Sequence, residues 1–433
     1  MKPRGPKHPA PVRHPHWALA RRRHLLLAGG SFTALIAVLG PGLLAGLSDD
    51  DPAGITTYSI LGAEYGYQLL WVLVLSTAAL IIFHLIAVRV GVVTGKGLMT
   101  LIRERWGTPV ASLVLAALVT ANLGTLCAEF AGVAAGFDLL GLENHALVVP
   151  AVAALISLLV LKGSFRRIEH VLLLLSSVFI TYIVSGFLAG PDWGETAKGL
   201  VLPTMPLNRD AVLIAVATVG TTLAPWGLTF IQSYAVDKRL TVKDLSLERI
   251  DVVVGAALTG VIGLFVVVAC AATIHATGDS IETAADAARA LEPLAGGLAS
   301  TLFGLGFLGA ALLAVAIVPL ATGYSISEAF GKRHDLNDGF RNAPLFYLSF
   351  IGAVVLSGAV VLIPGAPLIK ILFLTQALNA VLLLVVVPFL WWLSQDEELM
   401  GEHSLRGTER IASGVALLLI AASVLALGLL TIV

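Results

Sequence analysis

The stretch Ser48-Asp49-Asp50-Asp51-Pro52-Ala53-Gly54 interrupts an apolar run that begins near Leu35 and resumes at Ile55. Three carboxylates, a proline and a glycine stand where a membrane helix would be unbroken and apolar. A charged side chain at membrane depth costs about 2.5 kcal/mol or more, and backbone freed by a proline must find other partners. Such a defect is kept where it lines a cavity for an ion or substrate. Residues 49–54 therefore read as a cation site in a transporter.

The rest of the chain sets that stretch inside a bilayer. Of 433 residues, 57% are hydrophobic and 13% charged, about half the charged share of soluble domains. This is the composition of an integral membrane protein. A net charge of −1 offers nothing to nucleic acid. Cys127 and Cys270 both lie in apolar runs, with neither a disulfide framework nor metal-ligand spacing, and read as small buried hydrophobes. Residues 1–24 are rich in Pro, His and Arg, end near Arg21-Arg22-Arg23, and lack a small-residue cleavage site. They read as a disordered basic tail rather than a signal peptide. The irregular spacing of His8, His14, His16 and His24 fits a solvated tail better than a metal site.

Spans of about 20 apolar residues cross a bilayer. Eleven are expected: 31–63 (broken), 68–93, 109–136, 146–161, 168–189, 210–235 (broken), 250–276, 298–325, 344–363, 367–393 and 410–431. Lys and Arg collect in the tail and in loops 94–108, 162–167, 236–249 and 326–343, while loop 277–297 is acidic and loop 395–409 mixed. The positive-inside rule then places the N-terminus in the cytoplasm and the C-terminus outside the cell membrane. The expected fold is an all-α membrane protein with one transporter domain, 25–433. Its repeats are about 31–189 and 210–393, in a 5+5 inverted arrangement, with an extra helix at 410–431.

A second break matches the first. The run Thr218-Val-Gly-Thr-Thr-Leu-Ala-Pro-Trp-Gly227 interrupts the sixth span at Ala224-Pro225-Trp226-Gly227. Interrupted helices at corresponding positions of two halves are the best sequence pointer to a transporter site. Unwound backbone offers carbonyls there, and half-helix C-termini carry partial negative charge. Pro319 and Pro388, each alone in a span, read as kinks. The chain has no HExxH, GxSxG or Walker loop, so no enzyme and no resident cofactor are expected. Its one small-molecule partner is the transported ion. Nothing fixes the oligomeric state, and a monomer suffices.

Gly40-Pro-Gly-Leu-Leu-Ala-Gly46, Asp51-Pro52 and Gly62-Ala-Glu-Tyr-Gly-Tyr-Gln-Leu-Leu-Trp71 resemble the first helix of the Nramp family of divalent metal transporters. Arg89-Val-Gly-Val-Val-Thr-Gly-Lys96, Arg103-Glu-Arg-Trp106 and Ala128-Glu129-Phe-Ala-Gly132 extend the likeness. The resemblance implies the LeuT-type inverted-repeat fold and alternating access. Departures from the family pattern bear on mechanism. Typical members carry Asp-Pro-Gly-Asn at the first break; here the Asp matches Asp51 but the Asn position is Gly54. Their Met-Pro-His at the second break is Ala224, Pro225 and Trp226. Their Asp three residues before the third-span Glu is Leu126, although Glu129 remains. The ninth span, 344–363, has no charge where the family's proton path usually finds basic residues. The chain thus resembles a divergent branch, the Nramp-related magnesium transporters.

A thioether favours transition metals, whereas carboxylates, carbonyls and water suit Mg²⁺ and Mn²⁺. Mg²⁺ keeps several waters and is held by one or two carboxylates. Asp51 is the expected direct ligand, with Asp49 and Asp50 farther out. Carbonyls of Ala53, Thr221 and Ala224 are candidate donors. Gln376 matches a family glutamine that approaches the ion, and Asn379 follows one turn on. Gly54, Glu129 and Trp226 are expected around the site. With Leu126 and Trp226 unable to titrate, uncoupled uptake is expected. A proton-coupled Mn²⁺/Fe²⁺ importer is the alternative within the family, and an amino-acid transporter the alternative on the same fold. Glu129, alone on an apolar helix, reads as functional. His84 matches a family glutamine position, yet a packed, hydrogen-bonded histidine is the simpler reading. Thr56, Thr57 and Tyr58 either line the pore or bond helix backbone. Tyr324 to Glu328 read as a helix end.

Overall fold

The computed structural model describes residues 45–46, 48–161, 181–335 and 339–432. The tail, most of the first half of span one and most of span five lie outside the described residues. The described chain is helical almost throughout. Its principal helices are α1 Pro52–Tyr65, α2 Leu70–Thr94, α3 Leu98–Leu139, α4 His145–Leu161, α5 Thr181–Leu188 and α6 Arg209–Thr222. They continue as α7 Pro225–Asp237, α8 Leu245–Cys270, α9 Ala299–Ala329, α10 Pro344–Val361, α11 Leu368–Leu393 and α12 Gly407–Ile432. Among the described residues, eight helical stretches are long and apolar enough to cross a membrane, one of them running through the second break. Large apolar side chains such as Leu113, Leu147, Ile250, Leu356 and Leu418 face outward. In water they would be a liability; against lipid tails they are at no disadvantage.

Three spans differ from their expected limits, the seventh in that α8 begins at Leu245 rather than at 250. Residues 98–106, placed in a loop, form the first turns of α3, and the helix resumes past a kink at Gly107, whose φ of +83° suits glycine. Leu98 to Ile102 are apolar but for Thr100, and the charges Arg103, Glu104 and Arg105 follow at their end, so the stretch is as compatible with a helix at a membrane surface as with a loop. α9 runs on to Ala329, and Tyr324, Ser325, Ser327 and Glu328 at its end are all buried. There Glu328 accepts hydrogen bonds from the Met99 N–H at the start of α3 (3.2 Å) and from Ser233 Oγ of α7 (2.6 Å). The Tyr324 hydroxyl donates to Asp237 (3.0 Å).

Packing centres on α3, which lies against α9 and α11, while α1 lies against α8 and α11, and α6 against α11. Glycines make the closest approaches. A side chain on Gly132 of α3 would strike the Pro52 ring, one on Gly62 the Val267 carbonyl of α8, and one on Gly220 of α6 the backbone of α11 at Gln376 and Ala380. Helices in lipid associate by such close contact, since apolar burial no longer drives them together. α12 sits at the margin with much of its apolar surface exposed. It is tied by Trp391 Nε1 to Ser413 Oγ (2.9 Å) and by the Arg89 fork on Glu409 (2.8 and 3.1 Å).

Candidate metal site

Both breaks have the local form that their prolines dictate. The chain is helical at Ser48 and Asp49, bends through Asp50 and Asp51, and restarts at Pro52. Pro is well suited to the first helical turn, where an N–H would be unsatisfied in any case. α6 ends at Thr222, Leu223 leaves the helix, Ala224 is extended, and α7 begins at Pro225. Pro225 cannot give the N–H that a continuous helix would supply to the Thr221 carbonyl. Thr221 thus turns its carbonyl toward the gap without an intrahelical donor.

Tertiary packing brings the breaks together. The point where a Cβ would stand on Gly54 lies 2.8 Å from the Asp49 carbonyl oxygen, 3.2 Å from Asp51 Oδ1 and 3.3 Å from Thr221 Oγ1. The Tyr58 hydroxyl, two turns into α1, meets Thr222 Oγ1 at 2.9 Å. Gly132 presses on Pro52, which sets Glu129, one turn earlier on α3, beside the Asp51 carboxyl. Asp49, Asp50, Asp51 and Glu129 are 1, 2, 5 and 0% exposed. Among the described residues neither oxygen of Asp49 or Asp50 has a hydrogen-bond partner, nor has Thr221 Oγ1 or Trp226 Nε1. Among the described residues no ion pair reaches these four carboxyls. Burying an ion without compensation costs several kcal/mol. The arrangement is one that a cation would complete.

The expected residues separate on inspection. Asp51 is the N-cap of α1, its Oδ1 accepting the Gly54 N–H at 2.6 Å. The Ala53 carbonyl drops out as a donor. It belongs to the first turn of α1, takes the Thr57 hydroxyl at 2.8 Å, and points along the helix away from the break. Thr57 thereby takes the backbone-bonding alternative. Ala224 keeps its carbonyl at the gap, where it accepts only a long bond from the Gly227 N–H (3.2 Å). Gln376 and Asn379 are both buried on α11, with Asn379 Nδ2 donating to Gln376 Oε1 (3.0 Å) and to Thr125 Oγ1 (2.9 Å) of α3. That network ties the Gln376 amide oxygen to Asn379, while Gly220 of α6 meets the main-chain carbonyl of Gln376.

His84 departs in part from its expected role. It is 1% exposed on α2, but neither ring nitrogen has a hydrogen-bond partner. Its Nε2 faces Gly227 of α7. His84 is packed as expected, but not hydrogen-bonded among the described residues, and it stands by the second break. Among the described residues no three His, Cys, Asp or Glu side chains form a ready-made cage; the carboxyls are strung along the crossing instead.

Residues 42–430 match the family described as natural resistance-associated macrophage protein-like, Nramp. The chain belongs to the Nramp family. This Nramp chain is 29% identical over 374 residues to the divalent metal cation transporter MntH of Klebsiella pneumoniae, covering 85% of the chain and 87% of its relative. It superposes on the crystal structure of the Eremococcus coleocola manganese transporter with a TM-score of 0.69 at 20% identity, over 92% of the chain and 87% of that structure. The fold extends to MhsT bound to L-phenylalanine, with a TM-score of 0.57 at 16% identity, over 89% of the chain and 98% of that structure. The architecture is thus the LeuT-type fold, and the relatives of this Nramp protein are transporters rather than enzymes.

Proposed function

We propose that this protein carries divalent metal cations, Mg²⁺ and Mn²⁺, across the cell membrane by alternating access, without obligatory proton coupling. One observation supports it above the rest: four buried carboxyls, without a cationic partner among the described residues, stand around two helix breaks packed on each other. The MntH relatives are named as divalent metal cation transporters, which supports the same class of cargo.

In this reading Asp51 binds the ion through the oxygen left free by helix capping. The Thr221 and Ala224 carbonyls and the Gln376 amide oxygen complete a set of hard donors. Asp49, Asp50, Glu129 and Asn379 lie farther out, and Gly54 and Trp226 shape the space. No cage of three acids is needed, because Mg²⁺ retains waters and takes one or two carboxylates. Leu126 and Trp226 stand where typical members titrate, and α10 carries no charge to relay a proton. The membrane potential suffices as a driving force: two charges moving through 100 mV gain about 4.6 kcal/mol. The N-terminus lies in the cytoplasm and the C-terminus outside.

The test is uptake of Mg²⁺, Mn²⁺ and Ca²⁺ into proteoliposomes in parallel, with internal pH recorded. We expect Mg²⁺ and Mn²⁺ to enter without internal acidification. Acidification driven by the metal would instead identify a proton-coupled Mn²⁺/Fe²⁺ importer.

A further inference from the structure

We propose that the Asp49 carboxylate and the His84 imidazole form a second cation station across Gly227, which holds a borderline ion such as Mn²⁺ or Co²⁺ more firmly than Mg²⁺. The station presupposes the cation path proposed above and adds the group in that path able to tell one ion from another.

Three elements create it. Asp49 ends the helical segment before the first break, His84 lies midway along α2, and Gly227 is in the first turn of α7. The point where a Cβ would stand on Gly227 is 3.3 Å from His84 Nε2 and 3.7 Å from Asp49 Oδ1. Glycine's missing side chain therefore leaves a small space that both groups face. They do not close on each other: among the described residues both Asp49 oxygens and both imidazole nitrogens lack hydrogen-bond partners. A neutral imidazole always has one N–H to donate and one lone pair to offer. Burying it with both unmatched is costly. A metal ion in the space would take the Nε2 lone pair and an Asp49 oxygen together.

The position relative to the first site follows from Asp49 itself. Its main-chain carbonyl lies at Gly54, beside Asp51 Oδ1, while its side chain reaches the Gly227 space. Asp49 thus joins the two stations. At Asp51 the available donors are oxygens, which take Mg²⁺ and Mn²⁺ alike. An imidazole nitrogen adds affinity for Mn²⁺, Co²⁺ or Zn²⁺ that Mg²⁺ does not share.

Pulsed electron paramagnetic resonance of Mn²⁺ bound to the full-length protein in detergent reads this directly, because nitrogen coordinated to Mn²⁺ modulates the echo. We expect that modulation in the unsubstituted protein and its loss in His84→Gln. The Mn²⁺ Kd should rise by about tenfold relative to that for competing Mg²⁺, the size of effect seen when a metal site loses a supporting group. Gly227→Ala, which fills the space with a methyl group, should also abolish the modulation, and it answers the question if His84→Gln does not fold. Absence of nitrogen coupling in the unsubstituted protein, or coupling that survives both substitutions, overturns the station whatever the liposomes show. Liposomes that take up no divalent cation overturn the transport reading instead, while nitrogen coupling lost in His84→Gln would still establish the binding station.

Discussion

The first break, residues 48–54, holds three carboxylates, whereas the second, residues 223–227, holds none. Each proline restarts a helix, but only the first restart is capped by a side chain, Asp51 on the Gly54 N–H; Ala224 has nothing with which to cap α7. The first break therefore brings charge, and spends one carboxylate oxygen on holding its own helix. The second brings a carbonyl without an intrahelical donor at Thr221 and room at Gly227. In the proposed cation site, two breaks of similar backbone form thus divide the requirements, which are charge, neutral oxygen donors and space.

The sharpest challenge to that division is Asp51→Asn. Asparagine caps a helix as well as aspartate, so stability should hold while proteoliposome uptake falls by about 100-fold. Asp51→Ala should lose uptake equally and about 1 kcal/mol of stability besides. If Asp51→Asn carries metal normally, Asp51 is a cap alone and the first break does not supply the charge through it. Next comes Gly54→Ala. Its methyl would stand 2.8 Å from the Asp49 carbonyl oxygen, a contact that forces the first break to shift. Uptake should drop by about tenfold, since a site tolerates displacements of only about 0.5 Å. Gly54→Asn, the usual family residue, should fare no better, because it carries the same Cβ.

A smaller effect is expected at the second break. Ala224→Met places a thioether beside the gap and should raise the preference for Mn²⁺ or Cd²⁺ over Mg²⁺ by roughly fivefold in competition uptake. An unchanged preference would mean that Ala224 does not face the ion. The smallest effect belongs to the contact between the breaks. Tyr58→Phe removes the hydroxyl from Thr222 Oγ1 and should cost about 1 kcal/mol in thermal unfolding, with uptake kept within about twofold of normal.

Much of this site could be read along the chain. Pro52 and Pro225 break helices because a proline lacks an N–H, wherever the rest of the fold goes. Asp49, Asp50 and Asp51 are conspicuous because acids are rare in apolar runs. The Ala53 carbonyl was misjudged because a span limit alone does not say on which side of a break the helix restarts; once Pro52 begins α1, its early carbonyls point down the helix. His84 is hard to read for a different reason. α2 is apolar all round, so no polar stripe reveals which face turns inward, and a histidine on it looks the same packed or lining a site.

By itself the sequence determined that this is a membrane protein of many helices, two of them broken, with acid at one break. Those properties depend on local hydropathy and on proline's covalent structure. Only the tertiary structure decided that Gly132 seats α3 on Pro52 and so brings Glu129 to Asp51, and that Asp49 and His84 face one space at Gly227. Each of those depends on which helix faces meet. In an apolar chain close packing of small residues sets that, and it involves partners far apart in sequence.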